Sequence, residues 1–469
     1  MLRAVLSSAF GLALILACWC AKAVAQTQLP AEMRQKIDKV ATDALAKTGV
    51  PSASIAVVKD GQIAYSHAYG NAHLDPEKPA KPEMRYSVGS ISKQFTASSV
   101  LLLQEQGKLS LDDKVAKFIP SLAHSNEVTI RQLLSHTSGY QDYWPQDYVM
   151  PTMLQPVTSQ KILEIWGDKP LDFAPGTKWQ YSNTNYVIAG LIVEKASGMP
   201  LLKFLQEKVF APLGINGVAN IDDARLGDTD ATGYMRYALG PPRLAPKEGK
   251  GWLFAAGELA MPAEDLAKWD VSIIDRRLMK PPSYLALETE VLLNNGLGTE
   301  YGLGVFVRSQ FGHRALTHGG EVSGYTSQNL IFPDDRVAVV VLTNQDAADA
   351  AGAIARGIAP LLLASDDPAT PEKLAQARKI FEGLQHGTID RSLFTDNANF
   401  YFSDQALKDF SSSLGPFGTP EEFIQDREEL RGGMKLRIYS IKFAKTTLRT
   451  WTFELPDGKL EQYQVAAKE

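Results

Sequence analysis

Ser87-Val88-Gly89-Ser90-Ile91-Ser92-Lys93 is the stretch that organises this chain. Ser90 and Lys93 are three residues apart at the head of a long apolar-striped segment. A helix starting there puts them one turn apart on the same side, with the lysine amine in reach of the hydroxyl. A serine hydroxyl is a weak nucleophile until a base takes its proton, and a desolvated lysine can be that base. Ser-x-x-Lys arises often by chance, yet no other serine in the chain is followed by a lysine at this spacing. Its meaning depends on what accompanies it.

The composition excludes several functions. A net charge of −5 with 22% charged residues gives no field suited to nucleic acid. Met1-Leu2-Arg3, the apolar run Phe10 to Cys20 and Ala23-Val24-Ala25 have the plan of a secretory signal peptide over 1–25, which implies a periplasmic or extracellular protein. Cys18 and Cys20 are the chain's two cysteines and both fall in that leader, so the mature protein is expected to have no disulfide and no thiolate metal site. No later apolar run is long enough to span a bilayer.

Removal of the leader leaves 444 of 469 residues, long for one domain. The periodicity predicts a helix over 31–47, then a hairpin of 53–59 and 62–69 across Asp60-Gly61. A long helix runs from Ser90 to Gly107. Residues 110–240 read as a helical, loop-rich subdomain with short segments at 129–135, 159–166, 186–196 and 200–209. Residues 238–251 are an exposed loop by composition. Strands return from Tyr325, with a hairpin of 330–332 and 337–342, and 350–363 is an apolar helix closing the sheet. Residues 365–371, rich in Asp, Pro and Thr, read as a linker between a hydrolase-sized domain (26–364) and a C-terminal α+β module (372–469). That module is expected to hold helices at 371–384 and 404–413 and strands at 434–443, 447–455 and 459–466.

Two further clusters suit chemistry with Ser90. Tyr181-Ser182-Asn183 offers a phenol and an amide two residues apart. The phenol can move a proton between Ser90 and a leaving group, and the amide can hold a substrate. His318-Gly319-Gly320-Glu321 leads into a strand. Its glycines leave room for a substrate backbone, and the N–H of Glu321 can join that of Ser90 around an oxyanion, an effect worth about 3 kcal/mol per donor. His318, near neutrality, can donate or share a proton.

Jointly these residues resemble the penicillin-recognising serine hydrolases, the superfamily of class C β-lactamases and DD-peptidases. The order Ser-x-x-Lys, Tyr-x-Asn, Lys/His-x-Gly is met by Ser90/Lys93, Tyr181/Asn183 and His318/Gly320. Thr129 to Gly139, Pro175 to Asn183 and Val339 to Asn344 are similar to the family's intervening segments, so the likeness covers about residues 30–363. It implies an α/β fold of the α+β type: an antiparallel sheet flanked by helices, an all-α subdomain, and a site in the cleft between them. It implies Ser90, Lys93 and Tyr181 as catalytic, Asn183, His318, Gly319, Gly320 and Glu321 as substrate-binding, and no cofactor or metal.

One departure narrows the expectation. β-Lactamases of the superfamily usually carry Lys-Thr-Gly where this chain has His318-Gly319-Gly320, so the cation and hydroxyl that hold the antibiotic's carboxylate are missing. The pattern resembles the esterase, amidase and D-amino-acid peptidase branches. The alternative is a cell-wall binder or sensor that acylates without turnover. The C-terminal module resembles, more weakly, a cystatin-like or NTF2-like fold.

Other candidates read as structural. No Gly-x-Ser-x-Gly elbow or His-Glu-x-x-His motif occurs, and His313 and His318 suit no common metal pair. His136 reads as loop structure and Glu258 as a cap, surface or cleft residue. Tyr140 to Tyr148 reads as a loop, either packed in the core or lying over the site.

Overall fold

The computed structural model describes residues 28–146, 148–223, 225–363 and 370–468. The segment 1–25, expected to be a signal peptide, and residues 365–369 of the expected linker lie outside them, whereas Thr370 and Pro371 open a helix.

The first module is built on a seven-stranded antiparallel sheet. Its order is Glu77–Pro79, Gln62–Leu74, Ser52–Lys59, Val337–Thr343, Tyr325–Phe332, His313–Val322, Phe306–Gln310. The two central strands, Ser-Ala-Ser-Ile-Ala-Val-Val-Lys and Val-Ala-Val-Val-Val-Leu-Thr, are buried almost throughout. Such continuous apolar runs fit a sheet covered on both faces. Helices Ala31–Thr48 and Ala350–Leu362 cover one face through Ile37, Ala41, Ile354 and Ile358. Helices Ser92–Glu105 and Ala263–Asp275 belong to the larger core on the other face, where Phe95 packs at 4.8 Å on Trp269.

Residues 110–240 hold helices Ile130–Leu134, Asn183–Ser197 and Leu201–Leu205 with long irregular connections. Thr129 caps the first, its side chain accepting from Gln132 N while the Gln132 side chain accepts from Thr129 N. This region is not purely helical, since Ala219–Asn220 joins a small sheet with Tyr86–Ser87 and Leu259–Met261. Strands also begin earlier than periodicity indicates, at Phe306 rather than Tyr325. Gly312, Gly319 and Gly320 break up the alternation that marks a strand in sequence.

The C-terminal module, taken by itself, is a four-stranded antiparallel meander: Glu422–Arg431, Met434–Lys442, Thr447–Glu454 and Leu460–Ala467. Helices Thr370–Gln385 and Asp404–Leu414 accompany it, and Phe381, Phe394, Phe402, Tyr439 and Tyr463 form its core. The first strand is absent from the sequence reading because Gln-Asp-Arg-Glu-Glu has no apolar alternation.

Candidate active site

Ser90 lies on the tight turn Gly89–Ile91 that leads into helix Ser92–Glu105, and Lys93 lies in that helix's first turn. The turn is stitched to its surroundings by Val88 N donating to Leu259 O (3.0 Å) and Ser327 Oγ donating to Val88 O (2.9 Å). Gly89 has φ +51° and lies so near strand His313–Val322 that a Cβ on it would come within 2.8 Å of Glu321 N. Gly320 answers it from the strand, since a Cβ there would come within 2.0 Å of Val88 O. The two glycines let the Ser90 turn and the strand meet backbone to backbone.

The strand's register completes this side. Val322 and Tyr325 close a two-residue turn, so alternate pairing turns the amides of Gly319 and Glu321 away from strand Tyr325–Phe332. Strand Phe306–Gln310 pairs only as far as Thr317. The N–H of Glu321 therefore points away from strand Tyr325–Phe332, on the side of the Ser90 turn. The Glu321 carboxylate accepts from Ala347 N at 2.8 Å, on the rim of the cleft.

Lys93 is fully buried and its Nζ has three partners: Ser90 Oγ at 2.9 Å, Asn183 Oδ1 at 2.8 Å and the Ala256 carbonyl at 2.8 Å. Burial pulls its pKa down to about 7, opposed by the nearby charge of Asp142. Near neutrality a large share of Lys93 is therefore an uncharged amine next to the serine. Tyr181 lies against the pair, its ring 5.0 Å from Lys93 Nζ and its hydroxyl bonded to Ser90. Burial raises the Tyr181 pKa, an effect its bond to Ser90 opposes, so it is a phenol at neutral pH.

Asn183 opens helix Asn183–Ser197. Its carbonyl faces Lys93, and its NH₂ donates to Asp142 Oδ2 at 3.2 Å rather than standing free for substrate.

His318 differs from the expected proton donor. Its Nδ1–H is held by the Gly319 carbonyl (2.6 Å), and its Nε2 accepts from the Tyr301 hydroxyl (3.0 Å). Burial and the neighbouring Lys93 push its pKa down to about 3. It is a neutral ring with both nitrogens engaged, and it supplies no cation.

The hydrogen bonds of the His136 ring and carbonyl go to residues 180–185 rather than to Ser90. Its carbonyl accepts from Gln180 N (3.0 Å), its Nδ1 from Ser182 N (3.2 Å), and its ring stacks on Tyr181 at 4.2 Å. It braces the tyrosine from behind. Glu258 is buried and takes Ala255 N (3.1 Å) and Asn220 Nδ2 (3.0 Å), fixing the loop that offers the Ala256 carbonyl to Lys93. Its position is neither on the surface nor in the cleft lining. The Tyr140–Tyr148 segment divides: Tyr140 is a core residue, Tyr143 is buried yet borders the cleft, and Trp144 and Tyr148 reach into it.

The cleft has a volume of about 1370 Å³, with Ser90, Tyr181 and His318 in one wall and Trp144, Trp179 and Phe306 supplying aromatic surface. The sequence reading did not contain Asp142 or Tyr301. Neither belongs to a short motif, and Tyr301 comes to His318 only through the fold. No group of three or more His, Cys, Asp or Glu among the described residues is placed to hold a metal ion.

Comparison with known proteins places this geometry. Residues 37–362 match the family model described as Beta-lactamase. The chain is similar to penicillin-binding protein 4* of Bacillus subtilis (strain 168), 30% identical over 308 residues, 62% of this chain and 68% of that one. It is also 30% identical over 300 residues to the D-aminopeptidase of Brucella anthropi, covering 63% of this chain and 56% of that one. Among solved structures, a D-stereospecific amidohydrolase from Streptomyces sp. superposes with TM-score 0.60 at 26% identity, over 68% of this chain and 96% of that one. The octameric penicillin-binding protein homologue from Pyrococcus abyssi shares the fold over 93% of this chain and 96% of that one, with TM-score 0.61 at 22% identity. With most of its length matched by that model and its sheet, helices and cleft in the arrangement described, the chain belongs to the β-lactamase family.

Proposed function

We propose that the protein is an exported serine hydrolase that cleaves an ester or amide through an acyl-enzyme on Ser90. The supporting observation is the buried Lys93 amine, 2.9 Å from Ser90 Oγ and poised to lose its proton near pH 7. Ser90 Oγ attacks the carbonyl carbon while its proton passes to Lys93 Nζ. The N–H groups of Ser90 and Glu321 receive the oxyanion. The Tyr181 phenol gives its proton to the departing amine or alkoxide and regains one from Lys93. Water then attacks the ester carbonyl on Ser90; the same lysine and tyrosine take its proton and return it to Ser90 Oγ as the acyl–Oγ bond breaks and the acid leaves.

The substrate reading follows from His318. A neutral imidazole tied to Tyr301 and Gly319 offers a carboxylate no charge, which favours substrates without a carboxylate at that end: D-amino-acid amides, peptides read from their amino end, and small esters. The names of the D-aminopeptidase and the D-stereospecific amidohydrolase agree with this class. The apolar leader supports export, and no helix among the described residues is long and apolar enough to cross a membrane.

A fluorophosphonate probe is expected to label the purified protein at Ser90 and to leave Ser90→Ala unlabelled; labelling that persists in the variant removes the assignment. Across a panel of nitrophenyl esters, D-amino-acid amides, D-Ala-D-Ala peptides and a chromogenic cephalosporin, the cephalosporin is expected to turn over more slowly than the ester. The reverse ranking overturns the reading of His318. Intact mass after substrate addition should show regenerated protein, whereas a persistent adduct means a binder such as a sensor.

A further inference from the structure

Asp142 lies on the cleft wall and no short motif contains it. Its Oδ1 accepts from the backbone N–H of Asn183 (2.9 Å) and of Trp144 (3.1 Å), and its Oδ2 from Asn183 Nδ2 (3.2 Å). A carboxylate only accepts hydrogen bonds, so it fixes which end of the Asn183 amide faces it. The NH₂ must point to Asp142, and the carbonyl must then point to Lys93, where it lies 2.8 Å from Nζ. A flipped amide would set oxygen against oxygen on one side and NH₂ against the lysine amine on the other.

We propose that Asp142 is a positioning residue for the Ser90–Lys93 pair: it locks the orientation of Asn183 and holds a negative charge close to the lysine. This rests on the reading of Lys93 as the base. The other groups facing Lys93 carry no charge near neutrality. They are the Ser90 hydroxyl, the Asn183 and Ala256 carbonyls, the rings of Tyr181 (5.0 Å) and Tyr186 (5.5 Å), and the neutral imidazoles of His136 and His318. Burial raises the Asp142 pKa, while the amides of Trp144 and Asn183 and the Lys93 charge favour its ionised form. Burial and Asp142 thus act on Lys93 in opposite directions, and the balance leaves the amine titrating near neutrality.

The segment does not depend on Asp142 to stay in place. Thr184 Oγ1 donates to the Gln141 carbonyl (2.6 Å), Ser138 Oγ to Asn185 Oδ1 (2.6 Å) and Gly176 N to the Thr137 carbonyl (2.8 Å). Substitution at 142 is therefore expected to leave a folded protein.

The test is the rate of Ser90 labelling by a fluorophosphonate between pH 5 and 9.5 in the wild type, Asp142→Asn and Asp142→Glu, each checked by circular dichroism. Removing the charge destabilises protonated Lys93, so the acid limb of Asp142→Asn is expected to move down by about one pH unit. Its plateau is expected to fall about tenfold as Asn183 loses its fixed orientation. Asp142→Glu keeps the charge, so its limb stays at the wild-type pH, while its longer arm displaces Asn183 and lowers the plateau. An Asp142→Asn profile that superposes on the wild type overturns the proposal. Should that variant fail to fold, a moved limb or an undiminished plateau in Asp142→Glu overturns it alone. Absence of wild-type labelling at Ser90 is a different failure, that of the hydrolase reading.

Discussion

Replacing Lys93 by methionine should lower turnover of a nitrophenyl ester by about three orders of magnitude, within the range that loss of a general base produces. Methionine is unbranched like lysine and apolar, so the buried slot stays filled while the amine disappears. The wild-type kcat/KM is expected to rise with pH through about 7, as Lys93 gives up its proton and becomes able to accept that of Ser90. The variant should keep a residue of activity with no limb in that region. A variant that retains a tenth of the wild-type rate, or a limb near pH 7, would transfer the base role elsewhere.

The second large effect is expected at Gly320. A methyl group there would be 2.0 Å from Val88 O and 2.4 Å from Ser327 Oγ, and neither atom is the end of a long flexible chain. Gly320→Ala must push the Ser90 turn off the strand and break the Ser327–Val88 hydrogen bond. A displacement near 1 Å at a reacting centre costs about 100-fold in rate. Overpacking is expected to cost about 1–3 kcal/mol of stability, seen as a lower melting temperature. Gly319→Ala is the control, since the nearest atom to its Cβ would be Ser327 O at an ordinary 3.6 Å. It should melt with the wild type, and any effect should appear in KM. Equal losses at the two glycines would refute the close-approach argument.

The sheet's central strands and flanking helices were legible because their patterns are strong: Val337 to Leu342 is an unbroken apolar run, and residues 31–47 keep a helical period up to Gly49. The strand carrying His318 was legible only from the 325–332 side, because its glycines and polar residues hide the alternation. Ser90, Lys93, Tyr181 and Asn183 were found as spaced pairs, and the fold brings the four into one hydrogen-bonded cluster. What spacing could not reveal was environment. His318 read as a titrating histidine because nothing nearby in sequence announces Tyr301, seventeen residues earlier, whose hydroxyl occupies Nε2. Asn183 read as a substrate ligand because nothing near it in sequence announces Asp142, forty-one residues upstream, which accepts from its NH₂.

The state of Lys93 also has a thermal consequence. Its pKa is about 7 in the fold against 10.5 for an ordinary lysine, so between those values the unfolded chain holds a proton that the folded protein has released. Stability then rises with pH across this window, by up to about 1.4 kcal/mol per pH unit from this group. Below pH 7 the full burden of keeping the charge buried falls on the folded state. Melting curves of wild type and Lys93→Met, taken from pH 6.5 to 9.5, should show the wild type gaining on the variant as the solution becomes more alkaline. A difference independent of pH would mean that the amine does not titrate in this range. Through this one amine, the domain is expected to melt more easily in mild acid than in mild base.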